Sequence, residues 1–353
     1  MRDFFIKRYP VMNTEQAYSE QDEYAVIRNH EYLISLDQKN GSPNSEPVDV
    51  VFTWVDNQDK IWQEKYNKYK NNTYDFIGLH AKDKARFENH NELYYSLLSV
   101  QKYLPWVRKI FIVTDEQVPE WLSPSDRVEV IDHKDIIPDV FLPTFNSHVI
   151  EAHLYKIKGL SENFIYFNDD VFVAREHKKE HFFRSNGLAS IFVSNKSLAL
   201  MTYKGVKTPT LAASLNVQQL LQKKFSRLVD SPLVHTYVSL KKSFFVKVWQ
   251  EYAAEIESFL MNKFRANNDL NLATFFVPWY MYLSKESVIT PEICYYFNVR
   301  SAHAMLQYRK LLLAKDQDRA PHSFCANDFS SDQQMVGYRE QLESMLQKYY
   351  FDD

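Results

Sequence analysis

The sequence predicts an α/β protein with a mostly parallel central sheet flanked by helices. Runs of β-branched and aromatic residues are typical of strands buried on both faces, and three of them are VDVVFTWVD (48–56), VRKIFIVTD (107–115) and RVEVIDH (127–133). Helical patterns lie between the strand-like runs, before 107–115 and again before FIYF at 164–167. Alternating strands and helices imply right-handed crossovers and parallel strand pairing.

The segment NHNELYYSLLSVQKYL (89–104) predicts the first clear helix. Its apolar residues recur at helical spacing, at Leu93, Leu97, Val100 and Leu104. Asn91 is the predicted N-cap, and Pro105 ends the helix. The segment SHVIEAHLYKI (147–157) also has helical character, whereas we expect the polar stretch 57–88 to be mobile.

Composition changes along the chain predict three parts. LDQKNGSPNSEPV (36–48) collects residues that resist regular structure, so residues 1–47 are predicted to be an N-terminal extension and linker. Residues 48–185 form the predicted α/β core. Residues 186–353 are more helical, with helices predicted at 214–229, 244–264 and 338–351, and are expected to complete the site.

Composition also excludes several classes of protein. The chain has 353 residues, 45% of them hydrophobic, and a net charge of −3, so nothing favours a nucleic-acid partner. Only two cysteines occur, which suits a reducing compartment, and we expect a cytoplasmic protein. No apolar run approaches the roughly 20 residues that span a bilayer. The basic and aromatic start MRDFFIKRYP suits either peripheral contact with lipid or packing on its own domain.

Polar residues collect where the predicted strands end. Asp56, Asp115, His133 and the run Asn168–Asp169–Asp170 all follow strand-like segments. Ligands of parallel sheets bind at the carboxyl ends of the strands, so we expect these side chains to face one crevice. If the backbone turns after Asn168, one aspartate can hold Mg²⁺ or Mn²⁺ and the other can accept a proton. With six glycines and no glycine-rich loop, a P-loop and a dinucleotide fingerprint are excluded.

A set of motifs then appears in a fixed order. It comprises DVVFTWVD (49–56), RFENHNELYYSLLSVQKYLPWVRKIFIVTDEQVPEWL (86–122), LPTFNSHVIEAHL (142–154), FIYFNDD (164–170), HTYVSL (235–240), FRANND (264–269) and CANDF (325–329). Over roughly residues 48–351 the sequence resembles the Stealth family of sugar-phosphate transferases. That family includes bacterial capsule polymerases and the α/β subunit of the lysosomal-enzyme GlcNAc-1-phosphotransferase. Its bacterial members resemble glycosyltransferase type A folds.

The resemblance implies a reaction and its reactants. A hydroxyl of a growing capsule chain attacks the β-phosphorus of a UDP-hexosamine, UDP-GlcNAc or similar, and UMP is released with divalent Mg²⁺ or Mn²⁺ assisting. The reaction is phosphoryl transfer, in which positioning and charge stabilisation supply most of the rate. The resemblance also implies that the α/β core, residues 48–185, binds the nucleotide sugar. The location expected from the cysteine count stays cytoplasmic, with peripheral association at the inner face of the bacterial cytoplasmic membrane, alongside the capsule machinery, as an open alternative.

The resemblance also implies four catalytic residues, Glu151, Asp170, His235 and Arg265. Asp170 is the candidate base for the acceptor hydroxyl and Asp169 the candidate metal ligand, and the reverse assignment stays open. Arg265 offers a planar fork of donors for a phosphate oxygen. His235 either protonates the leaving phosphate or donates a hydrogen bond to it.

Further residues are implied for substrate binding. We expect Thr53 and Asp56 at the uridine and ribose, and Arg86, Asn91 and Glu92 at the donor phosphates. His148, on the same helix face as Glu151, orients Glu151 or the donor sugar. The remaining predicted substrate-binding residues are Asn146, Asp269, Asn327 and Asp328.

Two other functions stay open, and the strand-end carboxylates fit the first of them as well. One is a conventional glycosyltransferase that attacks the anomeric carbon and releases UDP. The other is a non-catalytic carbohydrate-binding protein of capsule assembly, since 23 tyrosines and 25 phenylalanines could grip sugars. The sequence leaves open the sugar, the acceptor hydroxyl and the oligomeric state.

Overall fold

The computed structural model describes residues 46–70, 81, 87–123, 125–328 and 336–352. The N-terminal segment MRDFFIKRYP, nearly all of the predicted linker and Arg86 lie outside the described residues. The elements below therefore refer to these ranges.

A five-stranded sheet forms the centre of the fold. Its strands are β1 (Val48–Thr53), β2 (Ile110–Thr114), β3 (Val128–Asp132), β4 (Asn163–Asn168) and, later in the chain, β7 (Val238–Lys241). The order is β3-β2-β1-β4-β7, and every pairing is parallel except that of β4 with β7. The predicted α/β class with a mostly parallel sheet is confirmed.

Two small sheets lie beyond the central one. Their strands are β5 (Val171–Val173), β6 (Ala189–Ile191), β8 (Ser287–Ile289), β9 (Cys294–Asn298) and β10 (Ser323–Asn327). β10 pairs antiparallel with β5 and parallel with β9, whereas β6 pairs parallel with β8. Because β5 follows β4 after two residues, the first small sheet begins where the central sheet ends.

Helices cover the sheets and supply most of the second half. In the described ranges they are α1 (Lys60–Lys70), α2 (Glu92–Tyr103), α3 (His133–Ile136), α4 (Ser147–Glu151), α5 (Leu198–Tyr203), α6 (Pro209–Phe225), α7 (Lys242–Glu251), α8 (Ala253–Leu260), α9 (Val277–Leu283), α10 (Ala304–Asp316) and α11 (Tyr338–Phe351). A π-helical turn, Leu272–Phe276, precedes α9, and a 3₁₀ turn covers Lys179–His181. None of these helices is both long and apolar enough to cross a bilayer.

Helix α2 shows how the apolar pattern becomes packing. Its predicted core residues Leu93, Leu97 and Val100 are all buried, as is Leu104 just after it. The helix also contacts β5 through a small polar residue, because Ser99 Oγ accepts a hydrogen bond from the Val173 backbone N–H at 3.0 Å. The helix is therefore fixed against both the central sheet and the small one.

Three local predictions need correction. Residues 60–70, within the stretch expected to be mobile, form α1, because Trp62 and Tyr66 are buried in an aromatic cluster with Phe145. The helix predicted at 244–264 divides into α7 and α8. Asn91 lies at the N-cap position of α2, but it is left-handed (φ 63°) and its side chain makes no capping hydrogen bond.

Candidate active site

The acidic pair Asp169–Asp170 occupies the turn between β4 and β5. The central strand β4 ends at Asn168, and the chain then enters the small sheet at Val171. Both aspartates are partly exposed, so they lie outside the apolar core. This is the backbone turn that lets two adjacent carboxylates face the same crevice.

One oxygen of Asp170 is held and the other is free. Oδ2 accepts a hydrogen bond from Cys325 Sγ at 3.3 Å and one from Asn327 Nδ2 at 3.1 Å. Oδ1 is buried and has no hydrogen-bond partner among the described residues. Cys325 and Asn327 reach the same carboxylate because alternate residues of β10 point to the same face.

His235 lies beside Asp170. Because β7 runs antiparallel to β4, the start of β7 lies at the carboxyl end of β4, and His235 lies three residues before that start. A carboxylate oxygen of Asp170, a ring nitrogen of His235 and Cys325 Sγ all lie within 4.8 Å of one another. The His235 side chain is exposed, whereas Cys325 is fully buried beneath it.

A third carboxylate, Glu92, approaches the aspartates from the start of α2. Burial and then the nearby charge of Asp170 raise the pKa of Glu92, which reaches about 7 although the positive charge of His90 opposes the shift. Burial, Asp170 and Glu92 together raise the pKa of Asp169 well above its usual range. Several carboxylates share one region, and a bound cation would relieve their repulsion.

Tyr166 connects the aspartates to the other predicted catalytic residues. Its hydroxyl lies 2.9 Å from Thr53 Oγ1 and donates to Asn168 Oδ1 at 3.0 Å. Burial and the charges of Glu151 and Asp169 raise the pKa of Tyr166 well above its usual range, whereas the charge of Arg265 opposes this shift. Charged groups from both sides therefore act on one buried phenol.

Arg265 lies against the start of α4. Its Nε and Nη2 atoms both donate to Ser147 Oγ, at 3.1 and 2.6 Å, and Nη1 donates to Thr210 Oγ1 at 3.1 Å. Glu151, at the other end of α4, is buried and acts on Arg265 electrostatically. The Oε2 atom of Glu151 has no hydrogen-bond partner in the described part of the chain.

A buried network fixes the Arg265 loop to α4. Asp269 is fully buried, and its Oδ2 atom accepts hydrogen bonds from Asn146 Nδ2 and His148 Nδ1, both at 2.9 Å. The same oxygen accepts from the Ala266 backbone N–H at 3.0 Å. The side chains of Asn146, His148 and Asp269, which the resemblance implies for substrate binding, are all buried, and through these bonds they can position the Arg265 loop against α4.

Asn327 and Asp328 point to different neighbours. Asn327 binds Asp170, whereas Asp328 Oδ2 accepts from Arg300 Nη2 at 2.8 Å and lies 3.0 Å from His90 Nε2. Hydrogen bonds from His90 and Arg300 outweigh burial and lower the pKa of Asp328. Asp328 thus joins β10 to the segment before α2.

The remaining strand-end residues, Asp56, Asp115 and His133, follow the strands β1, β2 and β3. The Asp56 carboxylate accepts from the Gln58 N–H at 2.8 Å, and Asp115 pairs with Lys65 Nζ at 3.0 Å. His133 is buried, and burial lowers its pKa to about 4 despite the charge of Asp115.

The structure thus brings Asp170, His235 and Asn327 together directly and places Thr53 within hydrogen-bond distance of Tyr166, while Glu151, Arg265 and Asp169 act on Tyr166 electrostatically. Asn91 is exposed beside Glu92, and Arg86 is outside the described residues. Sequence reasoning missed Tyr166 and Cys325. The strand period was the available signal for both, because Tyr166 is two residues from Asn168, and Cys325 two residues from Asn327.

Solved glycosyltransferases show a weak similarity to this fold. A galactosyltransferase, LgtC in complex with donor and acceptor sugar analogs, aligns over 84% of this chain and 95% of its own at 11% identity and a TM-score of 0.40. The WbbM bifunctional glycosyltransferase aligns over 89% of this chain and 56% of its own at 12% identity, also with a TM-score of 0.40. A similarity this low supports no conclusion on chemistry.

Sequence comparisons are far more specific. Residues 46–74 match Stealth protein CR1, conserved region 1, and residues 86–191 match Stealth protein CR2, conserved region 2. A capsular polysaccharide phosphotransferase of Actinobacillus suis is 53% identical over 99% of this chain and 95% of its own length. The capsular polysaccharide phosphotransferase fcs1 of Haemophilus influenzae is 54% identical over 99% of this chain and 96% of its own. LcbA of Neisseria meningitidis, with the same description, is 52% identical over 99% and 95%. The chain therefore belongs to the Stealth protein family.

Proposed function

We propose that this protein is a capsular polysaccharide phosphotransferase that transfers sugar 1-phosphate from a UDP-hexosamine to a hydroxyl of a growing capsule chain. The relatives that share more than half of its residues over nearly its whole length carry that description. The acceptor oxygen forms a bond to the β-phosphorus while the bond from that phosphorus to the bridging oxygen breaks. UMP leaves with the bridging oxygen, and the product is a phosphodiester.

The free Oδ1 atom of Asp170 is the observation that carries the mechanism. Its partner Oδ2 is occupied by Cys325 and Asn327, so the carboxylate is held in one orientation with a lone pair available. Asp170 Oδ1 accepts the proton of the attacking hydroxyl, as a general base must lie within hydrogen-bond reach of that proton. His235, within 4.8 Å of the same group, donates to the departing phosphate oxygen.

Arg265 and Glu151 act on the donor from the α4 side. The Arg265 guanidinium is held through Ser147 and Thr210, and this arrangement directs the planar donor group to one place. It binds a non-bridging phosphate oxygen and stabilises the charge that develops there. Glu151, with an unpartnered buried oxygen, accepts a hydrogen bond from a sugar hydroxyl of the donor.

The side chains present fit a divalent cation. Asp169, Asp170 and Glu92 offer oxygen atoms in one region, and oxygen ligands are those that Mg²⁺ and Mn²⁺ prefer. Such an ion, when bound, neutralises part of the charge of the diphosphate. We assign Asp169 as its main ligand, because Asp170 already has its oxygen Oδ2 hydrogen-bonded to Cys325 and Asn327.

Product analysis tests the proposal. The protein is incubated with Mg²⁺, capsule oligosaccharide and each of several UDP-sugars, and released nucleotide is separated by chromatography. UMP together with a phosphodiester signal in phosphorus NMR is expected for one UDP-sugar. Release of UDP would instead establish a conventional glycosyltransferase, and no turnover with any donor would favour a carbohydrate-binding protein.

Matched variants connect the activity to the site. Asp170→Asn keeps the size of the side chain but removes the base, so we expect kcat to fall at least about 10²-fold. Asp139→Asn, an exposed aspartate in a turn, is the control and should retain full activity. Equal activity in Asp170→Asn and the control would contradict the assignment of Asp170.

A further inference from the structure

Two histidines converge on one buried carboxylate away from the Asp170 turn. His181 Nε2 lies 2.9 Å and His322 Nδ1 lies 3.1 Å from the same oxygen, Oε2 of Glu292. All three ligand atoms lie within 4.8 Å of one another. Glu292 is fully buried, and both histidine side chains are mostly buried, with 14% and 17% of their surface exposed.

The second oxygen of Glu292 is fixed by neutral donors. Oε1 accepts hydrogen bonds from Tyr237 Oη and Ser323 Oγ, each at 3.0 Å. Those bonds orient Oε2 toward the histidines, which is how carboxylate ligands of metals are commonly held from behind. Among the described residues, no lysine or arginine pairs with this carboxylate. A fully buried carboxylate requires a compensating positive charge or a complete set of hydrogen bonds.

His322 Nδ1 lies close to a backbone donor as well as to the Glu292 carboxylate. The Ile293 backbone N–H points to this nitrogen at 3.3 Å, which favours the form of the ring whose Nδ1 lone pair is free. In that form, Nδ1 and Glu292 Oε2 are two acceptors 3.1 Å apart and repel each other. A cation between them turns the repulsion into coordination.

We propose that His181, Glu292 and His322 bind one divalent transition-metal ion of the zinc class. Imidazole nitrogens with one carboxylate oxygen form a common ligand set for such ions. Ligand atoms of a tetrahedral zinc site lie about 3.3 Å apart, given bonds of about 2.0 Å, so the observed separations need only a small adjustment. Water takes the remaining position.

The proposed ion has a structural place in the fold. His181 ends the 3₁₀ turn Lys179–His181, Glu292 precedes β9, and His322 precedes β10. The ion therefore joins that turn to the beginnings of two paired strands. The strand β10 carries Cys325 and Asn327 to Asp170, so the ion supports the Asp170 turn from behind. The proposal does not rest on the reaction assigned to the protein.

Metal binding to the full chain, purified without a histidine tag and stripped by a chelator, tests the site. Zn²⁺ is titrated against a chromophoric competitor, and bound metal is counted by mass spectrometry after dialysis. We expect one tightly bound zinc per chain. The double variant His181→Gln/His322→Gln should weaken zinc binding at least about 100-fold. His303→Gln, a histidine outside the three candidate clusters, is the control and should bind as the unaltered chain does.

Cobalt distinguishes this site from the active-site cluster. Co²⁺ held by His181, Glu292 and His322 should give visible d–d bands without thiolate charge transfer, whereas Co²⁺ at the Asp170, His235 and Cys325 cluster would add a strong near-ultraviolet thiolate band. If the double variant does not fold, Tyr237→Phe serves instead, with about 10-fold weaker zinc binding expected. An unaltered chain that binds no zinc, a cobalt spectrum with the thiolate band, or variants with unchanged affinity would overturn the proposal.

Discussion

Replacement of Asp269 by alanine removes the centre of the network behind Arg265. The carboxylate has no exposed surface and accepts hydrogen bonds from four donors. Three converge on Oδ2, and the fourth, Asn262 Nδ2, reaches Oδ1 at 2.8 Å. The alanine variant leaves His148 Nδ1 and the Ala266 backbone N–H without this acceptor, and Asn146 Nδ2 keeps only its backbone acceptors, chiefly Phe264 O at 3.2 Å.

The expected cost follows from the burial and the number of partners. Hydrogen bonds to a charged group contribute about 1.5–3 kcal/mol each, and they are not additive. Removal of one member of a buried charged network typically costs about 3–5 kcal/mol, which we expect for Asp269→Ala. That is a large part of the roughly 5–15 kcal/mol by which proteins are stable.

Asparagine at position 269 should cost less than alanine. It keeps the size of the side chain and one acceptor oxygen, which can face the three donors at the Oδ2 position. Its amide nitrogen then faces Asn262 Nδ2, whose side chain is not fully buried and can rotate. We therefore expect a loss of about 1–3 kcal/mol for Asp269→Asn.

Urea denaturation of the purified variants measures both losses. Asp139→Ala, at an exposed aspartate, is the control and should change the free energy of unfolding by less than about 0.5 kcal/mol. In Asp269→Asn, which should remain folded, we expect weaker donor binding because the Arg265 loop is less firmly held. If Asp269→Ala were as stable as the control while the KM for the donor rose, Asp269 would contact substrate and the positioning role would be wrong.

Three further predictions concern single side chains. Cys325→Ala removes a hydrogen bond that orients the Asp170 carboxylate, so kcat for UMP release should fall about 10-fold, while Cys325→Ser should restore most of it, and an unchanged kcat in Cys325→Ala would contradict this role. Arg265→Lys keeps the charge but loses the paired contacts with Ser147, so kcat for UMP release should fall about 10²-fold. An unchanged kcat would show that Arg265 has no part in the mechanism. Burial lowers the pKa of His153 to about 4, so the unfolded state binds its proton first as pH falls. The contribution of His153 to the free energy of unfolding should be fully present above about pH 6.5 and should fall by about 3 kcal/mol toward pH 4. Urea denaturation at several pH values should therefore show a smaller decline in His153→Gln than in the unaltered chain.

Local patterns predicted the central sheet well. The strands β1, β2 and β4 are buried on both faces, so each is mainly apolar and ends at a polar residue, and the exception within β1 is the buried Asp49, which pairs with Arg108. Helix α1 was missed because only Trp62 and Tyr66 of its residues are buried, and their partner Phe145 is far away in the sequence. A pattern of two apolar residues in a polar stretch does not show that a distant aromatic side chain will cover them.

The sequence motifs selected residues that are neighbours in the structure, but they did not assign a role to each residue. Motif resemblance selected Asn146, His148 and Asp269 together with Arg265, yet a motif does not distinguish contact with substrate from support behind it. Burial alone does not make that distinction, since Glu151 is buried too, but hydrogen bonding does: both oxygens of Asp269 bind neighbouring groups, whereas Glu151 Oε2 has no partner among the described residues. The convergence of Asp170, His235 and Cys325 also depends on strand pairings between distant segments, which no local window contains.

The two adjacent aspartates have different surroundings because they lie where two sheets meet. Burial and the charges of both aspartates raise the pKa of Cys325, but the charge of Asp169 also acts on Tyr166 of the central sheet, whereas burial and the charge of Asp170 raise the pKa of Tyr296 in the small sheet. Asp169 thus acts electrostatically on the same buried hydroxyl as Arg265 and Glu151, which suits its proposed role at the charge of the donor. A carboxylate fixed by β10 beside His235 is suited to proton transfer at the acceptor. With Asp170 as the proposed base, its place beside His235 depends on the antiparallel pairing of β5 with β10, so a change that weakens this pairing should affect proton transfer more than donor binding.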